Sequence, residues 1–104
     1  MNISADELRQ ELARTDATML QVIRRAGRGS DPEFDRRLDA HVRSLRAMLD
    51  GSSLAVAIDA VDAARRVLEA ADPAAPLLML AMARENLAAV VRRQALRASP
   101  DLAA

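Results

Sequence analysis

From Leu77 through Ala83 no side chain is polar, and then Arg84 and Glu85 break the run. A helix that is apolar all round seeks burial all round. Seven such residues are far too few to cross a bilayer. The stretch therefore predicts the central helix of a small bundle, or a bundle helix with one side left for another chain.

The preceding chain supplies partners for such a helix. Ile3, Ser4, Glu7 and Leu8 form a helix start: Ser4 and Glu7 match a capping box, and Ile3 can staple onto Leu8. Leu8, Leu12, Thr15, Met19, Val22 and Ala26 then recur at alternating steps of four and three, with Leu20 and Ile23 widening the stripe. Asp6, Glu7 and Glu11 near the start, and Arg24 and Arg25 near the end, suit the helix dipole. Gly27 to Ser30 stops the helix.

Asp31 and Pro32 restart the chain as an N-cap and a first-turn proline. Phe34, Leu38, His41, Leu45 and Met48 make a second stripe, and Asp50 to Ser53 reads as a stop, a turn and a new cap. Leu54, Ala57, Ile58, Val61, Ala64 and Leu68 make a third, with Asp62 placed to pair with Arg66. Asp72 to Pro76 is the next break, and Ser99-Pro100 ends the last helix. The spacing predicts helices over 4–26, 32–49, 53–71 and 77–98 in one domain, 1–104. No β-alternation exists, and short connections favour antiparallel neighbours. The expected fold is all-α, an antiparallel up-down-up-down four-helix bundle, with abundant alanine letting some pairs approach closely. Gly51 leaves a second possibility, the second and third helices fused through 50–53.

Composition removes whole classes of chemistry. There is no cysteine and one histidine, so no clustered set of zinc ligands forms, and no metal or cofactor is expected. All 15 basic residues are arginine, which rules out lysine Schiff-base chemistry. They balance 15 acidic residues, the wrong ratio for neutralising nucleic-acid phosphates, and Phe34 is the only aromatic on which a base could stack. Net charge near zero favours association. The adjacent arginines at 24–25, 36–37, 65–66 and 92–93 read as solvated faces and helix-end compensation. No signal segment opens the sequence, so a cytoplasmic, bacterial-type protein is the default.

His41 lies on the apolar stripe of the second helix, where a partly buried seam histidine is the plainest expectation. With the Ala40-His41 pair, Gly51 ten residues on and the Val67-Leu68-Glu69-Ala70 ending, the chain resembles histidine phosphotransfer (HPt) domains of bacterial signalling relays. The resemblance implies a four-helix bundle of this size and a phosphoryl-accepting His41, or a degenerate relative that docks a signalling partner. The family pattern His-x-Leu-Lys-Gly is not kept: the sequence reads His41-Val42-Arg43-Ser44-Leu45, without the lysine that helps hold the phosphoryl group. Residues 8–20 also resemble the opening helix of all-α chorismate mutases, with Arg9 matching an arginine that grips the dianionic substrate and Asp16 a structural position. That family's second arginine falls at Ala26 here.

The reading that best joins these features is a small non-enzymatic protein-protein interaction module. A regulatory adaptor, assembly factor or secretion-type chaperone fits. It works by binding another protein or itself as a homo-oligomer, the dimer being the simplest form, with no membrane and no nucleic acid involved. The predicted contact surface is Leu77, Leu78, Met79 and Met82, an excess of apolar surface for one bundle seam.

Overall fold

The computed structural model describes residues 5–98, with side chains through 96. It is all-α: four helices, and no strand among the described residues. The Ser4 capping box, the Ile3 staple and the Ser99-Pro100 stop lie outside the described residues.

Helix α1, Ala5–Arg24, buries the expected stripe through Leu8, Leu12, Thr15, Met19 and Val22. It ends two residues before the predicted 26 because its last turn tightens. The Arg25 amide is shared between the Gln21 carbonyl at 3.2 Å and the Val22 carbonyl at 3.0 Å, and Gly27 follows in the left-handed region at φ +84°. Helix α2, Pro32–Met48, starts as expected: Asp31 accepts a hydrogen bond from the Glu33 amide at 2.9 Å, and Pro32 sits in the first turn.

Helices α2 and α3 are separate, not fused. Leu49 is extended (ψ 156°) while its amide still bonds the Leu45 carbonyl, and Asp50 is extended in turn. Helix α3, Gly51–Glu69, begins two residues before the predicted start: Asp50 rather than Ser53 takes the N-cap position, without a side-chain cap hydrogen bond, and Gly51 turns the chain at φ +56°. Helix α4, Ala74–Ala98, also begins early: Asp72 accepts from the Ala74 amide at 3.2 Å, and Pro76 is tolerated inside the first turn, where no intrahelical donor is required.

Helices α1 and α3 touch each other and both remaining helices, whereas α2 and α4 touch α1 and α3 but not one another. The centre of the molecule is therefore the α1–α3 diagonal, not the apolar helix α4. The buried face of α3 explains the exchange of roles: Ala57, Ala60 and Ala64 are fully covered, and their small size lets neighbours close in on three sides. From α4, Leu80, Leu87 and Val90 enter the common core beside Met19, Leu38 and Leu45.

Candidate protein interface

Helix α4 turns one face inward and leaves an apolar strip outside. Leu78 is 65% exposed, Met79 50%, Met82 59% and Leu96 64%. Of the four residues predicted as a contact surface, Leu78, Met79 and Met82 are exposed, while Leu77 is half-buried and packs against the core. Leu96 extends the strip beyond them. The sequence contains its signal, since Leu78 and Leu96 are five helical turns apart on one line.

By length and composition Ala74–Leu96 is apolar enough to cross a membrane, with mean hydropathy 1.4, yet only 17% of its most apolar window is buried. A core helix of this hydropathy would be mostly covered.

Two grooves flank the strip. Between α3 and α4 lies one of about 350 Å³, with Met79 and Met82 along one wall and Asp59 and Asp62 on the other. Between α1 and α4 lies a cleft of about 380 Å³, floored by Leu12, Leu87 and Val91 and flanked by Arg9, Arg84 and Arg92. Two of the three, Arg84 and Arg9, already face carboxylates. Arg84 donates Nε and Nη2 to the two oxygens of Asp16 at 2.8 and 3.0 Å, and this hydrogen bonding raises the guanidinium above its ordinary value. Arg9 stands 3.5 Å from Asp6.

His41 faces α1 rather than a partner. Its side chain is 12% exposed, with Nδ1 3.0 Å from Glu11 Oε1 and Nε2 2.9 Å from Thr18 Oγ1. The carboxylate assigns the proton to Nδ1, so Nε2 accepts from the Thr18 hydroxyl in the neutral ring. In the protonated ring Nε2 donates instead, and the hydroxyl turns to the Arg14 carbonyl at 3.2 Å. Every group keeps a partner in both states. The other Glu11 oxygen accepts from Arg14 Nε and Nη2 at 3.2 and 3.1 Å. This network joins α1 to α2 and leaves neither ring nitrogen open to a phosphoryl donor. Among the described residues no group of His, Asp and Glu is placed to hold a metal ion.

Glu11, Thr15 and Thr18 are buried, and sequence reasoning missed Glu11 and Thr18. Their signal was present: they follow Leu8 at steps of three, four and three, on the covered side of α1. Glu11 passes instead for a surface acid compensating the dipole.

The charged surface also rearranges. Arg25 and Arg37 each bring a guanidinium over the Phe34 ring, at 5.3 and 5.1 Å from its centroid. Arg37 further donates to Gln21 Oε1 at 2.7 Å, so it is not available to His41. Arg65 crosses from α3 to Asp39 and Asp35 on α2, while no Asp62–Arg66 pair forms among the described contacts.

No family model, curated protein or solved structure matches the chain.

Proposed function

We propose that this protein is a small non-enzymatic interaction module, an up-down-up-down bundle that binds another protein or a second copy of itself through the outer face of α4. The short connections at 25–31, 49–50 and 70–73 support the antiparallel arrangement. The absence of contact between α2 and α4, which lie across the diagonal, supports it too.

One observation carries the reading: Leu78, Met79, Met82 and Leu96 stand at least half exposed on one helix. Scattered surface leucines mean little, but Leu78, Met79 and Met82 clustered beside a groove, with Leu96 five turns on along the same line, support a contact surface. Arg84 and Glu85 sit midway along α4, and each charge at a bilayer centre costs about 3 kcal/mol. A protein partner therefore suits the strip better than a membrane. A role as regulatory adaptor, assembly factor or secretion-type chaperone in the cytoplasm fits such a surface.

Phosphotransfer through His41 draws less support, since both ring nitrogens are engaged by α1. A chorismate-mutase-like site draws less too, because Asp16 and Asp6 offset the cations that would grip a dianion.

The test is the double variant Leu78→Glu, Met82→Glu, followed by circular dichroism and thermal melting. A folded protein with stability within about 0.5 kcal/mol of wild type is expected for an external patch. Loss of the helical fold would make the strip core and end this reading.

A further inference from the structure

The outermost line of α4 runs Leu78, Met82, Glu85, Ala89, Arg92, Leu96, at alternating steps of four and three. That 3.5-residue repeat is the seam of a two-helix coiled coil. All of its members are exposed except Ala89, which is half-buried among its neighbours.

We infer that the occupant of this face is a second copy of the chain. Its own α4 packs antiparallel, with the two-fold axis passing between Ala88 and Ala89. This rests on the reading of α4's outer face as a protein-binding surface and adds the partner and its register.

Charge placement carries the inference. Glu85 and Arg92 are equidistant from the Ala88–Ala89 midpoint and lie on the same side of the helix. A two-fold axis at that point reverses the helix and preserves the side. Each Glu85 then meets the partner's Arg92, and the contact occurs twice, as an isologous interface requires. The same operation brings Met82 and Leu78 toward the partner's Leu96 at both ends. A parallel pair in register would set Glu85 on Glu85 and Arg92 on Arg92, which repel. Neither residue is otherwise engaged: among the described residues Glu85 and Arg92 have no ion pair or hydrogen bond beyond the helix backbone. The small Ala88 and Ala89 at the crossing permit the close end of the usual 8–10 Å interaxial range.

The chain lacks cysteine, so single thiols can report the register. In full-length protein, Ala89→Cys is expected to give a disulfide-linked dimer under mild oxidation, since the two copies of residue 89 meet near the axis. Leu78→Cys is expected to stay uncoupled, its copies lying roughly 30 Å apart at the standard helical rise. Glu85→Arg alone and Arg92→Glu alone are each expected to raise the dimer dissociation constant about tenfold in light scattering across a concentration series. The two combined should return it to within about threefold of wild type.

Cross-linking at Leu78→Cys but not at Ala89→Cys, or no recovery in the combined variant, would overturn the antiparallel register. A wild type that stays monomeric at every concentration, with the Leu78→Glu, Met82→Glu variant folded, would remove the second copy. It would leave the interaction reading standing with another protein as partner. A monomer that floats with anionic phospholipid vesicles, and loses this in the double variant, would overturn both.

Discussion

His41 Nδ1 on α2 stands 3.0 Å from Glu11 Oε1 on α1, and the two side chains are 12% and 6% exposed. It is the most buried ionisable contact between helices that is described. Arg14 donates to the second oxygen of the same carboxylate, so both Glu11 oxygens are partnered beneath the surface. A group placed this way specifies how α1 and α2 align, because sliding either helix by a turn strands a carboxylate in an apolar seam.

Glu11→Ala is therefore expected to cost about 2 kcal/mol, the range for a hydrogen bond to a charged group, read as a lower urea midpoint with unchanged slope. Replacing both partners, Glu11→Leu with His41→Leu, should recover part of that loss, since an apolar pair leaves nothing unsatisfied. A double variant weaker than the sum of the singles would contradict this account.

Leu78 and Leu80 are two residues apart on α4 and differ completely in burial, 65% against 0%. Leu80→Ala is expected to lower stability by about 3 kcal/mol through lost burial and the cavity left behind. Leu78→Ala is expected to change it by less than about 0.5 kcal/mol. Denaturant midpoints of the two variants decide the matter, and equal losses would mean that α4 is rotated from its described setting.

Gly51 has φ +56°, and a Cβ built on it meets nothing within 4 Å. The constraint is thus conformational rather than steric with neighbours. Gly51→Ala is expected to destabilise by about 1 kcal/mol, and Gly51→Asn by less, because asparagine enters the left-handed region more readily. An alanine variant as stable as wild type would show that the α2–α3 turn can form in another way.

Glu33 titrates low. The hydrogen bond from Arg36 at 2.6 Å, with that guanidinium's charge and then Arg37's, holds its carboxyl below the usual range. A depressed carboxyl contributes stability above its unfolded value and loses it as pH falls through the folded one. The Glu33 side-chain midpoint, followed by NMR, is expected to lie below that of an unpaired glutamate and to rise in Arg36→Gln. No movement in that variant would assign the depression to the helix terminus instead.

Helix existence was legible from the sequence because stripes at steps of three and four admit one solution, and Asp31-Pro32 announces its own break, whereas Gly51 left a fusion of the second and third helices open. Which helix would lie at the centre was not. Leu77 to Ala83 is apolar on every face, but burial depends on how closely neighbours approach, and the alanines of α3 let that helix take the middle. A partly buried seam position for His41 followed from its stripe; its partners did not, since Glu11 and Thr18 come from another helix and pairing across helices leaves no periodic mark. The outer strip was partly legible: Leu78, Met79 and Met82 exceed what one seam can cover, whereas Leu96, on the same line five turns on, stands among Arg92, Arg93 and Arg97 and reads as part of a charged end.

The alanines of α3 carry a consequence for how such a molecule tolerates change. Ala57, Ala60 and Ala64 are fully covered, so apart from glycine every replacement is an enlargement. Growth there wedges α3 away from its neighbours, and α4, which leans on α3 and α1 alone, tilts with it. Aim and curvature of an outward-facing surface are in this way inherited from buried side chains of a single methyl group. Drift in the shape of that surface can begin in the interior, several ångströms behind the residues that a comparison of surfaces would inspect.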